Sequence, residues 1–225
     1  MSAVPTTSAA ELRRHFTERG LAEADLAPTW LAQLEHWLAQ ARGADLPEPT
    51  AMTLATVDSQ GRPSARTVLL KGLDERGLVF FTNRTSAKAT DLRGVPAAAL
   101  VLPWVALDRQ VCITGDVEEV GRPETEAYAH GRPRGSQIGA WVSHQSQVIA
   151  DRSALERRQA ELERRFAGAE VPVPPFWGGY RVRPRRVEFW QGRADRLHDR
   201  LRFHRAGGGL GVAGDPGWVI NRLAP

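Results

Sequence analysis

Four short stretches concentrate side chains able to grip an anion or cover a flat ring. In RTVLLK, Arg66 and Lys71 bracket an apolar run. A guanidinium fork makes paired, charge-assisted hydrogen bonds to phosphate, whereas an ammonium acts as a point charge. Positions five apart on a regular strand face opposite sides unless a twist or bulge intervenes. The pair is therefore either two exposed strand ends or a strand edge lining a large ligand, with a phosphate near Arg66 and another group near Lys71. In FFTNRTSAK, Thr82, Ser86 and Lys88 surround a strand-to-helix change. Hydroxyls, first-turn amides and an ammonium can hold an anion there; an N-cap at Thr85 or Ser86 beside a surface lysine explains the same residues.

The third stretch is YAHGRPRGSQ, where Tyr128, Arg132 and Ser136 could offer a phenol, a guanidinium and a hydroxyl to one phosphate. Pro133 restrains this loop and Gly135 permits a tight path. A basic helix–helix connection with Ser136 as a cap accounts for the pattern equally well. In the fourth, EFWQGRADRLHDR, Trp190 either stacks on a ring or packs in the core. Arg196 and His198 can reach one face of an extended segment, and Arg200 adds a cation; a solvated charge run is the competing account. Gln110, Gln145 and Ser146 could bond the edge of a heterocycle.

The elements that must position these groups follow from periodicity. Trp30, Leu34, Trp37 and Leu38 recur at helical spacing in PTWLAQLEHWLAQA, which predicts a surface helix with an apolar face. ELRRHFTERGLAEADL is amphipathic and partly helical in expectation. AMTLATVD, SARTVLLKG and LVFFTN, separated by SQGRP and LDERG, read as a meander of hairpins. A short helix is expected at SAKATDLRG and two strands at AAALVLPW and RQVCITGDVEEV. Residues 123 to 166 read as mostly helical, opened by Pro123, with Leu155, Leu162 and Phe166 on one face. After the proline cluster VPVPPFWGG, the segments YRVRPRRVEFWQG, RLRFH and GWVINRL read as strands, and HRAGGGLGVAGDPGW as a surface hairpin. Antiparallel hairpins with outlying helices predict a closed or half-open barrel, since closure removes exposed strand edges. The expected organisation is a flexible segment at 1–20, then a single domain over 21–225 with helical insertions.

Composition narrows the partners. Of 225 residues, 42% are hydrophobic and 25% charged, which fits a folded domain. The net charge of +4 suits phosphate ligands but does not separate them from nucleic acid. The positive charges sit in separated candidate sites rather than in a stripe with an aromatic platform, so no nucleic-acid role is expected. Cys112 is the single cysteine, which excludes an intramolecular disulfide. His130 and His144 lack neighbouring ligands, so no metal site is expected. The opening MSAVPTTSAA has neither a basic n-region nor a long apolar core, and AAALVLPWVAL is too short for a bilayer. No membrane association and a cytoplasmic location are the expectations.

Taken in order, RTVLLK, FFTN, SAK, RQV, YAHGRPRGSQIGAWVSHQS, FWGGYRV, EFWQG, RLHDR and NRLAP closely resemble the pyridoxamine 5'-phosphate oxidase family over roughly residues 11 to 225. The resemblance implies a mainly β protein with peripheral α-helices, an FMN-binding split β-barrel working as a homodimer with FMN at the subunit interface. It implies that Arg66, Thr67, Val68, Leu69, Leu70 and Lys71 line FMN, with Phe81 and Thr82 along its path. Lys88, Gln110, Gln145, Ser146, Trp190 and Arg200 would fill further FMN positions. Lys71, Tyr128, Arg132 and Ser136 would grip the substrate phosphate. Arg196 and His198 would lie nearer the pyridine ring, acting in catalysis through orientation and charge control.

The implied reaction oxidises pyridoxamine or pyridoxine 5'-phosphate to pyridoxal 5'-phosphate. Hydride passes from C4' to flavin N5, and molecular oxygen accepts the electrons to give hydrogen peroxide. The family usually carries SRK where this chain has Ser86-Ala87-Lys88, and a tyrosine where it has Phe16 in the N-terminal segment, a candidate lid. Alternatives on the same barrel are a flavin oxidase of another small molecule and a nonenzymatic flavin or haem carrier.

Overall fold

The structure is a computed structural model that describes residues 20–206 and 217–225. Phe16 and nearly all of the expected N-terminal segment, with its lid role, lie outside the described residues, as do the glycines of the expected hairpin between Arg205 and Gly217. Of ELRRHFTERGLAEADL only the end is described, and it holds a short 3-10 turn, Glu23–Asp25.

The eight expected strands form, and a ninth, Gly72–Asp74, appears where LDERG was expected to be only a turn. They are β1 (Ala51–Val57), β2 (Pro63–Leu69), β3 (Gly72–Asp74), β4 (Gly77–Asn83), β5 (Ala97–Trp104), β6 (Arg109–Glu119), β7 (Trp177–Gln191), β8 (Asp199–Arg205) and β9 (Trp218–Arg222). All belong to one antiparallel sheet in the order β2-β1-β5-β6-β7-β4-β3, with β8 and then β9 branching from β7. The two ends of that path, β2 and β3, are consecutive in sequence, joined through Leu70 and Lys71. The sheet therefore curls back on itself, and the architecture is a split barrel.

β7 makes the split. β6 pairs along nearly its whole length, while its other edge pairs first with β4 (Trp177 to Val182) and then with β8 (Arg186 to Gln191). Between those halves the β6–β7 register shifts at Thr114 and Gly115, leaving Arg185 as the extra residue of a bulge. Gly115 permits the close approach there, because a Cβ would lie 2.0 Å from the carbonyl oxygen of Arg183. Pro184, which could not donate to a regular ladder, sits at the same irregularity.

Helix α1 (Trp30–Gly43) is capped by Thr29, whose hydroxyl accepts from the Ala32 amide at 3.1 Å. It buries Trp30, Leu34, Trp37, Leu38 and Ala41, the expected apolar face. Trp37 meets Phe189 edge-on at 5.2 Å, and Phe189 meets Phe203 at 5.8 Å, so α1 packs on the second half of β7. The other helices are α2 (Ala87–Gly94), α3 (Arg122–His130), α4 (Arg134–Val142) and α5 (Arg152–Arg165). α4 and α5 carry their own small core of Ile138, Leu162, Phe166 and Val171; Leu155 stays partly exposed. No helix among the described residues is long and apolar enough to cross a membrane.

Candidate active site

A cleft of about 650 Å³ opens where β2, β4, α3 and α4 meet. Arg66, Thr67, Val68, Leu69 and Lys71 form one side, and Phe81, Thr82, Lys88, Tyr128, Arg132, Ser136 and Gln145 complete it. The structure thus brings most of the predicted residues together. Arg66 and Lys71 share the cleft although strict alternation would oppose them. β2 ends at Leu69, so Lys71 lies in the link to β3, where strand alternation no longer applies. Leu70 departs from expectation: it is 6% exposed and packs in the main core, with its backbone amide donated to Thr50.

One end of the cleft is cationic. Lys88 is buried and donates to the Gln145 Oε1 at 2.7 Å, with Thr82 and Ser86 hydroxyls at 3.3 and 3.4 Å. Burial pushes its ammonium below the ordinary lysine range, and the nearby Arg66 charge pushes the same way. Arg66 donates to the Thr56 hydroxyl at 2.6 Å and to Ser64, and pairs with Asp91 of α2 at 3.8 Å. Burial lowers the Arg66 pKa against the opposing pull of Asp91. Two adjacent cations, one of them paired with a carboxylate, suit a dianion. The N-cap position of α2 is Ser86, as expected, but its side chain makes no capping bond. The Ser146 hydroxyl accepts from the Ala87 amide instead, at 3.1 Å, from a residue with φ of 74°.

The other end is aromatic. Phe81 stacks on Tyr128 at 4.1 Å between centroids and on Trp177 at 5.4 Å, and the Arg132 guanidinium lies 4.7 Å over the Trp177 ring. Gly179, the β7 partner of Phe81, leaves room for this stack, since a Cβ would come within 2.8 Å of the Phe81 ring. Burial pushes the Tyr128 phenol up, opposed by Arg132, so it remains a proton donor at neutral pH. Burial also lowers the Arg132 pKa, which the phenol partly offsets. Lys71 is exposed, and Ser136 stands on the first turn of α4. Trp177 was missed by local reasoning on the sequence, although FWGG had marked its neighbourhood.

The remaining predicted residues lie elsewhere. Gln110, Trp190 and Arg200 form one row across β6, β7 and β8, as register partners. His198 lies 4.7 Å from the Trp190 ring and accepts from the Arg193 amide through Nδ1 at 3.0 Å. Arg196 is exposed in a turn where both Asp195 and Arg196 have positive φ, 55° and 62°. Arg200 donates to Glu188 at 2.8 Å and to the Ala224 carbonyl at 3.0 Å. This row sits at the far end of β7 from the cleft. Trp177 and Trp190 are thirteen positions apart on one strand, roughly 40 Å of chain at about 3.3 Å per residue. The residues therefore divide into a cleft set and a distal set.

Fold and site together define a split-barrel protein with a cleft that is cationic at one end and aromatic at the other. Two family models match the chain: pyridoxamine 5'-phosphate oxidase over residues 38–165, and the pyridoxine 5'-phosphate oxidase C-terminal dimerisation region over residues 177–225. A pyridoxine/pyridoxamine 5'-phosphate oxidase of Salinispora arenicola is 52% identical, covering 98% of this chain and 97% of that protein. One from Rubrobacter xylanophilus is 53% identical, covering 96% of each. Among solved structures, PhzG of Burkholderia lata, in complex with tetrahydrophenazine-1-carboxylic acid, is similar with a TM-score of 0.82 and 35% identity, covering 90% of this chain and 95% of that one. The chain belongs to the pyridoxamine 5'-phosphate oxidase family, a family of FMN-dependent oxidoreductases.

Proposed function

We propose that the chain oxidises pyridoxamine 5'-phosphate or pyridoxine 5'-phosphate to pyridoxal 5'-phosphate, with molecular oxygen as the final acceptor and hydrogen peroxide as the second product. The observation that carries this reading is the gathering of Lys71, Tyr128, Arg132 and Ser136 around the same cleft as Arg66 and Lys88. Two phosphorylated partners need two anion sites, and the cleft offers one at each end.

The residues fit FMN by their chemistry. Buried Lys88 makes no ion pair among the described residues, its hydrogen bonds going to an amide oxygen and two hydroxyls, and Arg66 stands close enough to depress its pKa. A phosphate dianion would satisfy both. FMN, when bound, supplies the hydride-accepting chemistry. Arg66, Lys88 and Ser146 hold its phosphate end, and Thr67 to Leu69 line its path. Tyr128, Arg132, Ser136 and Lys71 anchor the substrate phosphate, and this anchoring sets the orientation of the reacting carbon.

The distal set completes the site from a second copy. Gln110, Trp190, Arg196, His198 and Arg200 lie at the far end of β7 from their own cleft, and in this reading a two-fold dimer brings the distal set of one protomer to the cleft of the other; the matched dimerisation region over residues 177–225 supports it. Arg196 and His198 then approach the pyridine ring. The bond from the Arg193 amide to Nδ1 fixes the orientation of the His198 ring.

Purified chain supplied with FMN is expected to form peroxide and pyridoxal 5'-phosphate from either phosphorylated vitamer in air, and to bleach its flavin without oxygen. Neither signal with either vitamer would refute the reading. A second reading, oxidation of a reduced tricyclic carboxylate, draws support from the likeness to PhzG. Product formation from that substrate class alone would favour it. The phosphate-gripping groups favour the vitamer.

A pH dependence follows from Lys88. Its charged form binds phosphate, and its pKa in the flavin-free chain lies below the ordinary lysine value because of burial and Arg66. FMN affinity is therefore full between the second ionisation of the phosphate, at about pH 6, and that pKa, and falls as pH rises through it, earlier than an ordinary lysine would allow. Titration of the flavin-free chain with FMN at increasing alkaline pH measures this. A constant affinity up to the ordinary lysine range would contradict it.

A further inference from the structure

Arg181, the next residue but one after Gly179 on β7, is 2% exposed, yet its guanidinium meets carboxylates from three separate elements. One terminal nitrogen donates to Asp74 of β3 at 2.7 Å. The other donates to both oxygens of Glu124 on α3, at 2.9 and 3.2 Å. Glu118 of β6 lies 3.9 Å from Nε. A buried charge survives only with such partners, and the planar fork serves two separate carboxylates through two different nitrogens, a span that a lysine ammonium, with its donors on one atom, does not reproduce.

The placement of those partners matters more than their number. Glu124 lies one helical turn before Tyr128, so the two share a face of α3. That face meets the sheet at two successive points: Glu124 on Arg181, and Tyr128 on Phe81, whose β7 partner is Gly179. Asp74 closes the three-residue strand that follows Lys71, and the Lys71 amide donates to Val79, the register partner of Arg181. Arg181 thus ties down both the helix that carries Tyr128 and the strand that Lys71 leads into, while touching neither side chain.

We propose that Arg181 is a positioning residue for the substrate-phosphate clamp: bridging Glu124 and Asp74, it holds Tyr128 and Lys71, which come from separate elements, in the relative placement a phosphate requires. This rests on the phosphate role given to those two residues above. A merely structural ion network would stabilise the fold without selective influence on the clamp.

The test uses the FMN-loaded protein and measures the dissociation constant of pyridoxal 5'-phosphate for wild type, Glu124→Gln, Arg181→Lys, Tyr128→Phe and the Glu124→Gln/Tyr128→Phe double variant. Glu124→Gln and Arg181→Lys are each expected to weaken binding about fivefold with FMN retained, and Glu124→Gln is expected to add little once Tyr128 is already phenylalanine, because coupled groups are not additive. If Glu124→Gln does not fold, Asp74→Asn replaces it, paired with Lys71→Met. Unchanged binding in the folded variants, or effects that simply multiply in the double variant, would overturn the proposal. So would a wild type that does not bind the probe. Peroxide formation by wild type in the same preparation separates the two claims. Turnover with no coupling defeats the positioning role alone, whereas coupling without turnover leaves it standing and defeats the oxidase reading.

Discussion

Replacing Lys88 by methionine is expected to weaken FMN binding about a hundredfold while raising the melting temperature of the flavin-free chain. The two effects share one cause. The ammonium is buried and its charged form is disfavoured there, first by lost hydration and then by Arg66. An unbranched apolar side chain of similar length removes that penalty. It orphans little, because the Gln145 Oε1 keeps its bond from the Thr82 hydroxyl at 2.9 Å. Losing a hydrogen bond to a charged phosphate costs about 1.5–3 kcal/mol, or about 10- to 150-fold in affinity. Relief of that penalty raises Tm in the empty site, each 1 kcal/mol corresponding to about 2–4 °C for a chain of this size. FMN titration and thermal melts of the flavin-free protein measure both. A lower Tm with unchanged FMN affinity would mean that Lys88 is structural.

Arg132→Ala is expected to lower kcat/KM for the phosphorylated vitamers about a hundredfold, chiefly through KM. The guanidinium is half-buried over Trp177, beside the Tyr128 phenol, and makes no ion pair among the described residues. Such a group gains a charge-assisted bond when a phosphate arrives, a contact worth up to about 3 kcal/mol. Because substrate and transition state carry the same phosphate, the loss falls on binding more than on the chemical step. FMN content should not change, since Lys88 and Arg66 lie at the other end of the cleft. Steady-state kinetics with the phosphorylated vitamer decide the matter. An unchanged KM would remove Arg132 from the clamp.

Much of this architecture was legible in the residues. Alternating strands and the Trp30–Leu34–Trp37–Leu38 face follow from periodicity, and the hydroxyl–lysine cluster at Ser86 to Lys88 marks a strand-to-helix change. What escaped is nonlocal. Arg66 and Lys71 meet because β2 stops between them, a boundary that spacing alone does not reveal. Leu70 sits within RTVLLK yet turns into the core, so contiguity in a motif is not contiguity in a cleft. The support of Arg66 by Thr56, Ser64 and Asp91 joins β1, β2 and α2, and no local pattern signals it. Pro184 and Gly115 mark the bulge between the two halves of β7 only once β6 is known to pair there. The division into cleft and distal sets, likewise, depends on the length of β7.

That division yields the most direct test of the central claim, that each active site is shared between two chains. Arg132→Ala and Arg196→Ala proteins are unfolded together, refolded as a mixture and assayed for vitamer oxidation at a substrate concentration well below the wild-type KM, where each parent alone has little activity. If cleft and distal set come from different protomers, each mixed dimer regains one intact site, and an equal mixture recovers about a quarter of wild-type activity. If one chain builds the whole site, the mixture stays as inactive as its parents, and the composite site is contradicted.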